Sequence, residues 1–61
     1  MLGQILKEKD LSYAWLSRRL GVNRSTVQKW VVDNKKPKEK YHSAIAQALG
    51  MTVEQVKEMF A

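Results

Sequence analysis

Residues 13–30 read YAWLSRRLGVNRSTVQKW. Leu16, Ser17 and Leu20 share one side of the first half at helical spacing, and Val27, Trp30 and Val31 share one side of the second. Two such faces, joined by a turn of three residues, pack together at a steep angle. Gly21 stands where a helix ends in a left-handed conformation, which glycine adopts freely because it lacks a Cβ. Asn23 offers a side-chain oxygen to cap the helix that follows, and Val22 plugs the corner. The stretch therefore predicts a helix-turn-helix. Its first helix covers Tyr13–Leu20 behind the cap Ser12, and its second runs from Arg24 to about Val32.

Outward from this centre, Leu2, Ile5 and Leu6 predict a first helix over residues 2–9. Asp33 to Pro37 is the one clear loop, containing the single proline and two residues that tolerate positive φ. Tyr41, Ala44, Ile45, Ala48 and Leu49 repeat at i, i+3, i+4, i+7 and i+8, marking a fourth helix that Gly50 ends. Thr52 and Gln55 match a capping box, with Met51 and Val56 placed as its hydrophobic staple, so a fifth helix runs from Val53 to about Phe60. No strand, repeat or low-complexity segment is evident. The expected fold is all-α, a compact bundle of five helices around the central helix-turn-helix.

Sixty-one residues make one domain, 1–61, as a unit or as the amino-terminal domain of a longer chain, and its core is too small to surround a deep catalytic pocket. Eleven Lys and Arg against six Asp and Glu leave a net charge of +5, which points to a polyanionic partner. With no cysteine there is neither a disulfide framework nor a zinc knuckle, so packing alone must stabilise the chain. The opening residues carry charge from Lys7 onward and hold no apolar run suited to a signal peptide or membrane span; the expectation is a soluble intracellular protein.

The side of the third helix opposite Val27, Trp30 and Val31 presents Arg24, Ser25, Gln28 and Lys29, with Val32 at its end. These side chains suit base edges in a major groove: Arg and Lys donate to guanine, Gln pairs with adenine, and Val touches a thymine methyl. Lys35, Lys36, Lys38 and Lys40 crowd the loop after that helix, where the chain would run beside phosphates; they supply affinity rather than sequence choice. Tyr13, Asn23, Thr26, Lys35, Lys36 and Lys38 form the expected backbone-contacting set, with the Tyr13 ring packing and its hydroxyl reaching a phosphate. Any surface helix has a polar face, and the helix-turn-helix setting is what gives this one its meaning.

Trp15 is beside the core positions without being clearly among them, so it either covers the bundle edge or forms a contact for a protein partner. Val53, Val56 and Phe60 have core spacing, which leaves Met59 and the loop after the third helix the better candidates for a dimer interface; Trp15, Met59 and Phe60 make up the candidate interface set. His42 stands alone as a surface residue of the fourth helix, with no second His or Cys to complete a metal site. Neither a Ser/His/Asp set nor a carboxylate pair is present, so no catalysis, metal or cofactor is expected.

With these elements in order, the chain resembles the Cro and phage-repressor (XRE-like) family of helix-turn-helix regulators over about residues 4–60. The resemblance rests on Leu11-Ser12, Leu16-Ser17, Gly21-Val22-Asn23, Ser25-Thr26-Val27 with Trp30, Pro37, and the run from Ala46 to Thr52. It implies a lambda-repressor-like DNA-binding domain whose third helix reads the major groove, commonly as a dimer on a palindromic operator. Tyr13 stands where family members often have Gln, Ser17 where Ala is usual, and Asp33, with Asn34 next to it, where the loop usually has Gly. Leu6 and Val31 occupy positions at which many members form an ion pair, and an apolar contact is expected instead. The Ser17 hydroxyl needs a helical carbonyl as partner.

The favoured reading is a sequence-specific transcriptional regulator, a phage, prophage or mobile-element repressor that occupies an operator. Two others stay open: a DNA-binding antitoxin whose second surface engages a toxin, and a protein-binding antirepressor. The last would not need Arg24, Gln28 and Lys29 on one exposed face.

Overall fold

Short-range chemistry sets the helix ends. The computed structural model describes residues 1–61 and contains α1 (Leu2–Glu8), α2 (Tyr13–Leu20), α3 (Arg24–Val32), α4 (His42–Leu49) and α5 (Val53–Met59). A 3-10 turn over Glu39–Tyr41 leads into α4. Ser12 Oγ accepts from the Trp15 N–H at 3.0 Å, satisfying a donor that the first turn of α2 leaves free. At α5 the capping box is complete: Thr52 Oγ1 accepts from the Gln55 N–H at 3.1 Å, and Gln55 Oε1 accepts from the Thr52 N–H at 2.9 Å. Asn23 corrects the expectation for α3. It holds the cap position with φ −71° and ψ 148°, yet its side chain makes no capping hydrogen bond. Its backbone carbonyl instead accepts from Thr26 and Val27 at 3.0 and 3.4 Å, leaving the side chain exposed.

Three helices stop in the same way. The N–H of Leu11 donates to the Leu6 carbonyl at 2.8 Å, that of Val22 to Ser17 at 3.0 Å, and that of Met51 to Ala46 at 2.8 Å. In each case the residue before the donor is left-handed: Asp10 at φ 58°, Gly21 at 71° and Gly50 at 67°. Glycine meets this requirement at two ends and aspartate, more tolerant than most residues, at the third. The turn at Asp10 also stops α1 at Glu8, one residue sooner than its apolar spacing suggests. Phe60 likewise stands just past the end of α5.

The core draws on every helix: Leu2 and Leu6 from α1, Leu16 from α2, Val27 and Trp30 from α3, Ile45, Ala46 and Leu49 from α4, and Val56 and Phe60 at α5. Burying one such side chain contributes roughly 2 kcal/mol, a large fraction of the stability of so small a domain. α2 packs chiefly on α3 and α4, α4 on α5, and α1 on α3. Ser17 is buried between them, and its Oγ donates to the Ala14 carbonyl at 2.8 Å, the helical partner its position requires. Val31 packs on the cluster that includes Leu6, and its Cγ1 approaches α1 at Gly3. Leu20 and Val22 are half-buried against the same cluster.

Burial corrects two expectations and a helix boundary a third. Val53, placed on the core face by its spacing, is 38% exposed. It is the first residue of α5, where side chains lean back toward the helix start and away from the packed middle. Tyr41 precedes α4 rather than beginning it; its ring is half-buried against Trp30, centroids 5.7 Å apart and tilted by 49°. His42 is half-buried rather than on the surface, and its Nδ1 is sealed from solvent with no hydrogen-bond partner. No helix is long and apolar enough to cross a membrane.

Candidate nucleic-acid interface

α3 buries Val27 and Trp30 and half-buries Thr26 and Val31, so its remaining side faces outward. Arg24, Ser25, Gln28 and Lys29 are all exposed, and Val32 is 65% exposed. At about 3.6 residues per turn, the direction opposite the buried side runs through Ser25 and Val32. Gln28 and then Arg24 lie round one flank, and Lys29 lies on the other. Such a row can meet base edges if the helix enters a major groove.

On the Lys29 flank the chain bends back along α3. The Lys29 carbonyl accepts two N–H groups, from Asp33 at 3.1 Å and from Lys35 at 3.2 Å. Asn34, between them, is left-handed at φ 53°, a conformation that asparagine tolerates better than most residues. The Lys35 bond reaches one residue further back than the equivalent bonds of α1, α2 and α4. The wider turn lays the loop beside α3 and leaves an open groove of about 320 Å³ lined by Thr26, Lys29, Trp30, Lys35, Lys36, Lys38 and Tyr41. Outside it, Lys40 Nζ lies 5.1 Å from the Tyr41 ring centroid. Four lysines around one concavity raise the local positive potential well beyond what the net charge alone implies.

The groove brings together Thr26, Lys35, Lys36 and Lys38 from the expected backbone-contacting set, and it adds Lys29 from the expected base-reading set. Asn23 is exposed just before α3. The Tyr13 ring is half-buried against the core. Trp30 and Tyr41 form the aromatic wall of the groove, a role that helical spacing does not indicate; Asn34, a residue tolerant of positive φ placed two positions past a helix, is the signal that the loop folds back.

The candidate interface residues separate clearly. Trp15 is half-buried against the core, with the Arg19 guanidinium carbon 5.2 Å from its ring centroid. Met59 is half-buried on a shallow groove shared with Met1, Ile5, Met51, Gln55 and Glu58. Phe60 is only 7% exposed and belongs to the core.

A polar, exposed helix packed on α2 across a short turn, with a basic groove along one flank, defines a helix-turn-helix DNA-binding domain. The helix-turn-helix family profile matches residues 2–57, nearly the whole chain. The chain belongs to that family, in its Cro-type, XRE-like form, and is a DNA-binding regulator. No curated protein and no solved structure matches it.

Proposed function

We propose that this protein is a sequence-specific transcriptional repressor of a phage, prophage or other mobile element, acting in the cytoplasm on nucleoid DNA. α3 enters the major groove of an operator, and occupancy blocks polymerase. The observation that carries this reading is the exposed run of Arg24, Ser25, Gln28, Lys29 and Val32 on a helix whose other side is locked in the core. A helix used only for protein binding has no need of that row, which weighs against an antirepressor. The antitoxin alternative would use Trp15 for its toxin, but that ring is already half-buried and shared with Arg19.

A single recognition helix reads few base pairs, so the operator is a palindrome bound by two copies. Met59 and the apolar groove beside it are the surface for that pairing. Selection from random duplex DNA tests the reading, followed by titration of the enriched sequence with wild type and an Arg24→Ala, Gln28→Ala double variant. An enriched palindrome, bound by wild type and lost in the variant, is the expected result. Enrichment of no sequence would overturn it.

A further inference from the structure

The groove beside α3 divides the labour of the interface in a way that the exposed row alone does not reveal. Ser25, Gln28 and Val32 take no part in the groove's lining, whereas Lys29 does, alongside Lys35, Lys36 and Lys38. The Lys35 N–H is tied to the carbonyl of Lys29 itself, so the two backbones are held together before any ligand arrives. Asn34 supplies the left-handed residue that makes this return possible. The wall behind the lysines is aromatic: Trp30, locked in the core, and Tyr41, packed on it. Ammonium groups in front of an apolar wall suit a ligand with an anionic head and an apolar flank, which describes a phosphodiester with its attached deoxyribose.

We propose that this groove is a preformed seat for one backbone phosphate and its sugar, and that Lys29 belongs to the seat and does not read a base. Sequence choice then rests on Ser25, Gln28, Val32 and Arg24. The assignment rests on the DNA-binding reading above for the source of the phosphate, but the seat's existence does not depend on an operator. The backbone bond keeps the loop lysines beside α3 whatever the sequence of the duplex, so the seat contributes affinity to every duplex equally. Each phosphate neutralised by a lysine steepens the dependence of log K on log salt by about 0.9.

Two measurements test this. In the first, sodium pyrophosphate is titrated at constant ionic strength into the DNA-free protein while backbone amide shifts are followed. Saturable shifts centred on Lys29, Lys35 and Trp30, abolished by Lys29→Gln together with Lys35→Gln, are expected; shifts spread over all eleven basic residues, or none, would overturn the seat. In the second, Lys29→Gln is compared with Gln28→Ala on the selected sequence and on an unrelated duplex across a salt series. Lys29→Gln should weaken both duplexes by the same factor, lower the salt slope by about one, and leave their affinity ratio unchanged, while Gln28→Ala lowers the ratio. A fall in the ratio for Lys29→Gln at unchanged slope would restore Lys29 as a base reader. If wild type itself binds both duplexes alike, the repressor reading fails, and the pyrophosphate shifts and the salt slope still decide the seat.

Discussion

Val31 on α3 lies directly over Gly3 on α1: a Cβ at position 3 would come within 2.8 Å of Val31 Cγ1. Val31 thus meets α1 in a close approach of two helices, which depends on the missing side chain of Gly3. Val31 is β-branched and stiff, so it cannot swing aside at low cost. Gly3→Ala should therefore destabilise the domain by about 1 kcal/mol, the overpacking cost of 1–3 kcal/mol outweighing the roughly 1 kcal/mol that alanine gains in a helix. Thermal melts of Gly3→Ala, Val31→Ala and the double variant check this. The double variant should be more stable than the sum of the single effects implies, whereas strict additivity would deny the contact.

Ser17 presents the opposite case, a buried hydroxyl whose only partner is its own helix. Alanine at this position removes no partner from another element and improves helix propensity. Ser17→Ala should leave stability unchanged or raise it by about 0.5 kcal/mol, read as an equal or higher midpoint in urea. A loss above about 1 kcal/mol would mean that the hydroxyl has a role the fold does not reveal.

Phe60 and Met59 are neighbours in sequence with different surroundings. Phe60→Ala opens the core and should cost about 3 kcal/mol, independent of protein concentration. Met59→Ala should cost far less in the monomer. If the pairing surface is correctly placed, this second variant shifts the concentration dependence of operator binding, measured by titration at several protein-to-DNA ratios. An unaltered dependence would exclude the Met59 surface from pairing.

At Asn34 the backbone is left-handed, and the return bond from Lys35 to Lys29 depends on it. Asn34→Ala should cost about 1 kcal/mol, while Asn34→Gly should be tolerated. Both can be compared by thermal denaturation, and equal midpoints would deny that this conformation matters.

Val32 is exposed, so truncating it should barely affect folding, within about 0.5 kcal/mol. If it meets a thymine methyl, replacing the relevant thymine by deoxyuridine should weaken wild-type binding by about fourfold, the worth of one buried methyl-sized group. The Val32→Ala protein should show no such difference. Equal sensitivity in both proteins would place the methyl contact elsewhere.

Ser12, Gly21, Gly50 and the Thr52–Gln55 pair settle helix ends through bonds that span three to five residues, and for that reason the five helices and their corner are readable along the chain. The apolar repeats of α2, α3 and α4 likewise announce which sides turn inward. Spacing alone could not say where each packed face stops. Val53 and Phe60 share one helical face, yet one is exposed and the other closes the core, because burial depends on what lies opposite in space. Nor could spacing show that Gly3 admits Val31, that Pro37 is buried, or that Asn34 folds the loop back so that Lys35 sits beside Lys29. The polar row on α3 follows from the helical period, whereas the groove beside it exists only because Lys29, the loop and Tyr41 meet in the folded chain.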